Sequence, residues 1–186
     1  MVHYFLNYKK FIPNDHVDHV FDIDFKALYQ RGIRLLLIDL DNTLIPYDEI
    51  LPNQSLKDFF KSLIALGFET VIVSNNHYER INIFATACNV PFVSSAKKPT
   101  KFGFKSALKK VEKTYKKEEV CVIGDQLMTD IFGSKRMGFE AILVKPIKKK
   151  TEKWYTKLNR KIEDKMLDKI KKKSPVQYNQ LNLGGR

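Results

Sequence analysis

Between residues 32 and 146, short apolar runs alternate with longer stretches whose apolar residues recur at helical spacing. The run Ile33-Arg34-Leu35-Leu36-Leu37-Ile38 predicts a first strand over Gly32–Asp39. Asn53–Leu66 predicts a helix, with Leu56, Phe59, Phe60, Leu63 and Ile64 on one face and Gly67 as its stop. Glu69–Ser74 reads as a second strand and Tyr78–Cys88 as a helix. Pro91–Ser95 gives a third strand, Phe102–Tyr115 a helix, and Val120–Gly124 a fourth strand. A helix over Met128–Met137, closed by Gly138, then leads to a fifth strand at Ala141–Val144. Strands alternating with helices of about ten to fifteen residues imply a doubly wound, Rossmann-like α/β fold, its parallel sheet covered on both faces. Ligands bind beyond the carboxyl ends of such strands. Asp39, Ser74, the segment after Ser95 and Asp125 all fall there.

The flanks differ in character. Residues 1–31 carry early aromatics and then Val17, Val20, Phe21 and Ile23, which predicts an N-terminal extension packed on the 32–146 domain. Residues 147–173 read as a basic amphipathic helix. Residues 174–186, with Gly184-Gly185, read as a disordered tail. The net charge of +12 is concentrated there: Lys145–Lys173 holds 13 Lys and Arg against 4 Asp and Glu, nine of the twelve net charges. Such asymmetry points to an anionic surface, lipid headgroups or nucleic acid. No apolar run approaches the roughly 20 residues that span a bilayer. Met1–Lys10 also breaks, with Tyr, His and Asn, the apolar core that a signal peptide needs. Cys88 and Cys121 are too isolated for a disulfide framework or zinc site and read as small buried residues of a reducing cytosol.

Asp39-Leu40-Asp41-Asn42-Thr43 follows the first strand directly. Side chains two apart in an extended segment point the same way. Asp39 and Asp41 can therefore face one phosphate, one as nucleophile and the other as proton donor. The same residues also suit a solvated turn. Three further segments, each at a strand end, weigh against that plainer role: Ser74-Asn75-Asn76, Lys97-Lys98-Pro99, and Gly124-Asp125 followed by Asp130.

In this order and on this kind of sheet, the four segments resemble the motifs of the haloacid dehalogenase (HAD) superfamily of phosphohydrolases. The resemblance covers Gly32 to about Val144. It is nearest to the capless, subclass IIIA, YqeG-type phosphatases of bacteria, through LLIDLDNTLIPYDE at Leu36–Glu49, VSNN at Val73–Asn76, AKKP at Ala96–Pro99 and GDQLMTDIFGSKRMG at Gly124–Gly138. It implies that Asp39 attacks phosphorus to form an aspartyl-phosphate. Asp41 would protonate the leaving alkoxide and later deprotonate water, a task that calls for anionic or apolar neighbours. Ser74 and Asn75 would donate to phosphoryl oxygens, while Asn76 reads as a turn residue. Thr43 would buttress the loop or cap its turn. Lys98 would neutralise the phosphoryl group; the family pattern, with lysine immediately before proline, favours it over Lys97. Asp125 would complete an Mg²⁺ site with Asp39 and the backbone carbonyl of Asp41. Asp130 would hold a metal-bound water, orient Lys98, or serve as a helix-start acid favoured by the dipole.

The motif spacings leave no room for an inserted cap domain, so the site is expected to stay open to bulky substrates. The family is similar to phosphatidylglycerophosphate phosphatases, which implies a phosphorylated lipid as substrate. Trp154, Leu158, Ile162, Met166 and Ile170 recur every four residues among lysines, which suits either a basic interfacial helix on anionic membrane or a helix packed on its own sheet. The expectation is an Mg²⁺-dependent phosphomonoesterase, cytoplasmic and peripheral on the inner face of the membrane, with no protein partner. The alternatives are a soluble phosphatase of nucleotides, sugar phosphates or phosphoproteins, and an RNA- or ribosome-associated relative. No aromatic-basic recognition motif supports the last.

Overall fold

The structure, a computed structural model, describes residues 6–148 and 154–185, with residues 154–158 described by their backbone alone. Six strands form one all-parallel sheet: β1 (Asp15–Val17), β2 (Leu35–Ile38), β3 (Glu69–Val73), β4 (Phe92–Val93), β5 (Val120–Gly124) and β6 (Glu140–Val144). Their order is β1-β6-β5-β2-β3-β4. The chain moves outward from β2 through β3 to β4, then returns to β5 and leaves by β6. The reversal lies between β2 and β5, where such sheets open a ligand crevice. Leu35 pairs with both Glu69 and Val120, and Ile38 with both Ile72 and Ile123. That register brings Asp39, Ser74 and Asp125 out of the sheet within a residue of the same level.

Every residue of β2 is fully buried, as a central parallel strand requires. Leu36 and Ile38 face α1 (Phe25–Gln30), α2 (Gln54–Ala65) and α3 (Tyr78–Cys88), whereas Leu35 and Leu37 face α4 (Lys101–Leu108). The α2 start is set by Asn53, whose side chain accepts from the Leu56 N–H at 2.9 Å. It then buries Leu56, Phe59, Phe60 and Leu63. Gly67, at φ +93°, ends it in a backbone conformation that L side chains resist.

Four elements depart from the sequence pattern. Asp15–Val17 adds an edge strand beside β6; three residues are too few to display a period. The helix expected to reach Tyr115 stops at Leu108. Val111 and Tyr115 still pack on the same apolar cluster, so their spacing recorded a shared face and not a continuous helix. The segment expected to begin a helix at Met128 opens with a π-turn, Leu127–Ile131, before α5 (Phe132–Met137). The expected disordered tail is instead folded: α7 (Pro175–Gln180) is followed by a 3₁₀ turn at Leu183–Gly185. Leu183 anchors it, fully buried beside Phe11, Met166 and Ile170.

The basic segment forms α6 (Trp154–Lys173). Its Glu163, Met166 and Ile170 are buried, and the latter two meet Phe11, Leu127, Ile131 and Leu143. Of the two arrangements open for this helix, packing on the core holds for its second half. Met166 and Ile170 are therefore withdrawn from any lipid, while Lys161, Lys165 and Lys171–Lys173 face outward. The side chains of Trp154 and Leu158, which belong to the same stripe, lie outside the described residues. No helix among the described residues is long and apolar enough to cross a membrane. Because Ile170 is buried on a packed helix, Ile170→Ala is expected to cost roughly 2–5 kcal/mol. A urea titration checks this; a loss below about 0.5 kcal/mol, typical of surface changes, would mark α6 as peripheral.

Candidate active site

A small cavity of about 60 Å³ opens at the β2/β5 reversal, lined by Asp39, Asp41, Tyr47, Ser74, Asn75, Asn76, Lys98, Gln126, Thr129 and Asn159. The Asp39 N–H donates to the Ile123 carbonyl at 2.9 Å, extending the ladder one residue beyond β2. Lys98 Nζ lies 2.6 Å from Asp39 Oδ1 and 2.6 Å from Asp130 Oδ1. Burial alone would lower the Lys98 ammonium, but the Asp130 and Asp39 carboxylates outweigh it and hold it above its ordinary value. Lys97, by contrast, is exposed, its ammonium 5.7 Å from the Phe102 ring centroid. Thr43 Oγ1 sits 3.5 Å from Asp39 Oδ2, a long contact that braces the carboxylate weakly. The Asn75 side chain is directed elsewhere than expected. Its Nδ2 donates to the Lys98 carbonyl at 3.0 Å and its Oδ1 accepts from the Lys98 N–H at 2.7 Å. It clamps the lysine loop, so the amide expected at a phosphate is already engaged.

Asp41 has a partner set that the sequence did not reveal. Arg80, in the first turn of α3, reaches Asp41 Oδ1 with Nε at 2.8 Å and Nη2 at 2.7 Å. Asp41 Oδ2 accepts from Asn76 Nδ2 at 3.1 Å and lies 3.4 Å from the Ser74 hydroxyl. Asn76, expected only to turn the chain, is buried and also donates to the Tyr47 hydroxyl at 3.1 Å. The neighbours of Asp41 are thus donors, one a guanidinium, and not the anionic or apolar groups that its acid role called for. Arg80 carried no legible signal, because a charged residue in an exposed-looking helix start reads as solvated surface.

Asp125 leaves β5 fully buried. Arg160 of α6 holds it twice: Nη2 pairs with Oδ2, and Nη1 donates to the Asp125 carbonyl at 2.8 Å. Glu163, one turn on and fully buried, accepts from the Met128 N–H at 2.9 Å and from Arg160 Nη1 at 3.3 Å. Asp130 follows in the π-turn, a widened geometry that often marks functional sites. Its Oδ2 accepts from the Gln126 N–H at 3.1 Å and the Thr129 hydroxyl at 3.2 Å, leaving Oδ1 to Lys98. Gly124 makes room for this carboxylate: a Cβ there would stand 2.3 Å from Asp130 Cγ.

Carboxylate oxygens of Asp39, Asp125 and Asp130 lie within 4.8 Å of one another, and all three residues are buried. Burial pushes Asp39 well above the usual carboxylate range; Lys98 opposes this, and Asp130, Asp125 and Asp41 add to it. Burial likewise raises Asp125 to about 7 against the pull of Arg160. Asp39 and Asp130 share Lys98, Asp41 pairs with Arg80, and Asp125 and Glu163 both pair with Arg160. The hard carboxylate oxygens of Asp39, Asp125 and Asp130 fit a divalent cation. Breaking a buried ion pair leaves an uncompensated charge, so Lys98→Ala is expected to cost roughly 3–5 kcal/mol. In a double-mutant cycle by urea unfolding, the double variant Lys98→Ala/Asp130→Asn should lose less in total than the sum of the two single losses. Strict additivity would show that the two groups do not act as a pair.

Residues 1–148 match the family described as mitochondrial PGP phosphatase. The chain is 35% identical to the probable phosphatase YqeG of Bacillus subtilis (strain 168) over 170 residues, 91% of this chain and 97% of that protein. Among solved structures, an uncharacterized protein from Listeria monocytogenes serotype 4b is similar over 60% of this chain and 78% of its own, at 22% identity and a TM-score of 0.49. The putative HAD-hydrolase YfnB from Bacillus subtilis, bound to magnesium, is similar over 60% of this chain and 86% of its own, at 15% identity and a TM-score of 0.43. With the family match spanning most of the sequence and YqeG aligned almost end to end, the chain belongs to the PGP phosphatase family, among the YqeG-type phosphatases.

Proposed function

We propose that this phosphatase hydrolyses phosphomonoesters with Mg²⁺ through an aspartyl-phosphate on Asp39, and that its substrate is the lipid phosphatidylglycerophosphate. One observation carries the chemistry: a buried Asp39 carboxylate, 2.6 Å from a buried lysine, in the wall of a polar cavity at the topological reversal. Asp39 attacks phosphorus, the new O–P bond forms as the ester P–O bond breaks, and water then hydrolyses the acyl phosphate. Lys98, oriented by Asp130, offsets charge on the nucleophile and the transferring group. Ser74, fixed at the end of β3, offers its hydroxyl. Asp41 protonates the departing alkoxide, with Arg80 held on its other carboxyl oxygen. Asp39, Asp125 and the Asp41 carbonyl would hold Mg²⁺, which neutralises charge on the phosphoryl oxygens.

The lipid assignment draws on the mouth of the site. Ile50, Leu51, Tyr78 and Phe102 are all exposed, Leu51 at 65% and Phe102 at 58%, and stand just before or at the starts of α2, α3 and α4. These starts follow the carboxyl ends of β2, β3 and β4, the edge of the sheet that bears the cavity. Lys97 and Lys101 are exposed among them. An apolar rim studded with lysines suits an anionic lipid surface better than a freely diffusing sugar phosphate. The small cavity admits a phosphoryl group and leaves the rest of an ester outside.

Asp39→Asn, nearly isosteric, is expected to stay folded by circular dichroism and to lose turnover on every phosphoester. A folded variant with wild-type turnover would sink the covalent mechanism. The double variant Leu51→Asp/Phe102→Asp should slow phosphate release from phosphatidylglycerophosphate in anionic micelles at least tenfold while sparing a soluble aryl phosphate. Equal rates on micelles, or higher activity of the wild type across a soluble phosphoester panel, would favour a soluble substrate.

A further inference from the structure

The basic C-terminal helix reaches the cavity with a grip that the catalytic motifs do not include. We propose that Arg160 is a positioning residue, whose guanidinium fork fixes Asp125 in one orientation, making α6 an obligatory part of the active site. This rests on the reading of Asp125 as a metal ligand.

The geometry is specific on three counts. First, the fork takes two different atoms of one residue: Nη2 pairs with the carboxylate oxygen Oδ2, and Nη1 donates to the main-chain carbonyl at 2.8 Å. Holding side chain and backbone at once removes the freedom of the carboxylate to turn away from Asp39 and Asp130. A planar guanidinium can do this where an ammonium, a single point of charge, cannot. Second, Glu163 on the next turn accepts from the Met128 N–H at 2.9 Å. The helix thereby holds residues 125 and 128, on either side of the entry into the π-turn that carries Asp130. Third, the helix is itself fixed. Met166 and Ile170 are buried against the core, and Asn159, beside Arg160, lines the cavity. A partner that merely solvated Asp125 would need none of this.

Groups that orient a metal-ligating carboxylate typically contribute 10–100-fold to metal affinity. The alternative role, a latch whose positive charge stands in for the cation, predicts the opposite sign, because removing a competitor tightens metal binding.

The test titrates full-length, metal-free protein with MgCl₂ by calorimetry and follows turnover of a small aryl phosphate, using wild type, Arg160→Ala, Arg160→Lys and Asp125→Asn. Arg160→Ala is expected to bind Mg²⁺ 10–100-fold more weakly and to lose kcat at saturating Mg²⁺, with the ester KM little changed. Arg160→Lys, keeping the charge without the fork, should fall between Arg160→Ala and wild type in Mg²⁺ affinity. Should Arg160→Ala fail to fold, Arg160→Lys decides alone, and wild-type Mg²⁺ affinity in it overturns the proposal. Unchanged affinity in folded Arg160→Ala also overturns it, and tighter affinity replaces it with the latch. A wild type that binds no Mg²⁺, or an Asp125→Asn that binds as well as wild type, would instead overturn the metal-centre reading on which the inference stands.

Discussion

Asp39, Asp125 and Asp130 bring their carboxylates together where water is largely excluded, with Asp41 and Glu163 on neighbouring partners, and the rest of the molecule is arranged around their repulsion. Two like charges about 4 Å apart repel by roughly 4 kcal/mol at the effective dielectric of a protein interior, comparable to much of a domain's net stability. Each compensating cation comes from a different element: Lys98 from the loop after β4, Arg80 from α3, and Arg160 from α6. Folding must therefore bring three separate parts of the chain to one place before the cluster is tolerable. The same arrangement keeps Asp39 available, since its nearest cation is shared with Asp130 and lies on a loop clamped by Asn75.

The absence of an inserted cap does not leave the cavity without walls. Asn159 of α6 lines it, as do Tyr47 and Asn76. Ile50, Leu51, Tyr78 and Phe102 are exposed near the starts of α2, α3 and α4, which follow the carboxyl edge of the sheet.

Much of this was legible from residues alone. The doubly wound parallel sheet followed from apolar runs alternating with amphipathic ones, and Asp39, Lys98, Asp125 and Asp130 stood out because they sit at strand ends. What escaped notice did so for physical reasons. Arg160 is one cation among 13 in a stretch that reads as a solvated face, and only tertiary contact separates it from its neighbours. The stripe at every fourth residue of α6 looked continuous, yet among the described side chains the buried positions are Glu163, Met166 and Ile170, with a carboxylate among them. The π-turn left no trace in the periodicity, since it inserts its extra residue where α5 had been expected to begin. The folded tail escaped because Gly184-Gly185 outweighed Leu183, whose burial rests on tertiary contact with Phe11, 172 positions away, as well as with Met166 and Ile170.

The edge strand β1 has a consequence for how the molecule comes to be made. Asp15–Val17 pairs with Ile142–Val144, some 125 residues later in the chain. At about 5–20 residues per second, a ribosome takes roughly 6–25 seconds to deliver that partner. Closing so long a loop costs on the order of 4 kcal/mol in chain entropy, beyond a constant. Strands β2, β3 and β4 are consecutive in both sequence and sheet and pair with one another much sooner. The nascent protein is thus expected to assemble its centre first and recruit its earliest strand last, leaving Asp15–Val17 waiting unpaired through most of synthesis. Its brevity, with Asp15 and His16 inside it and Asp18 beside it, suits that wait, because a short, polar strand is a poor template for mispairing.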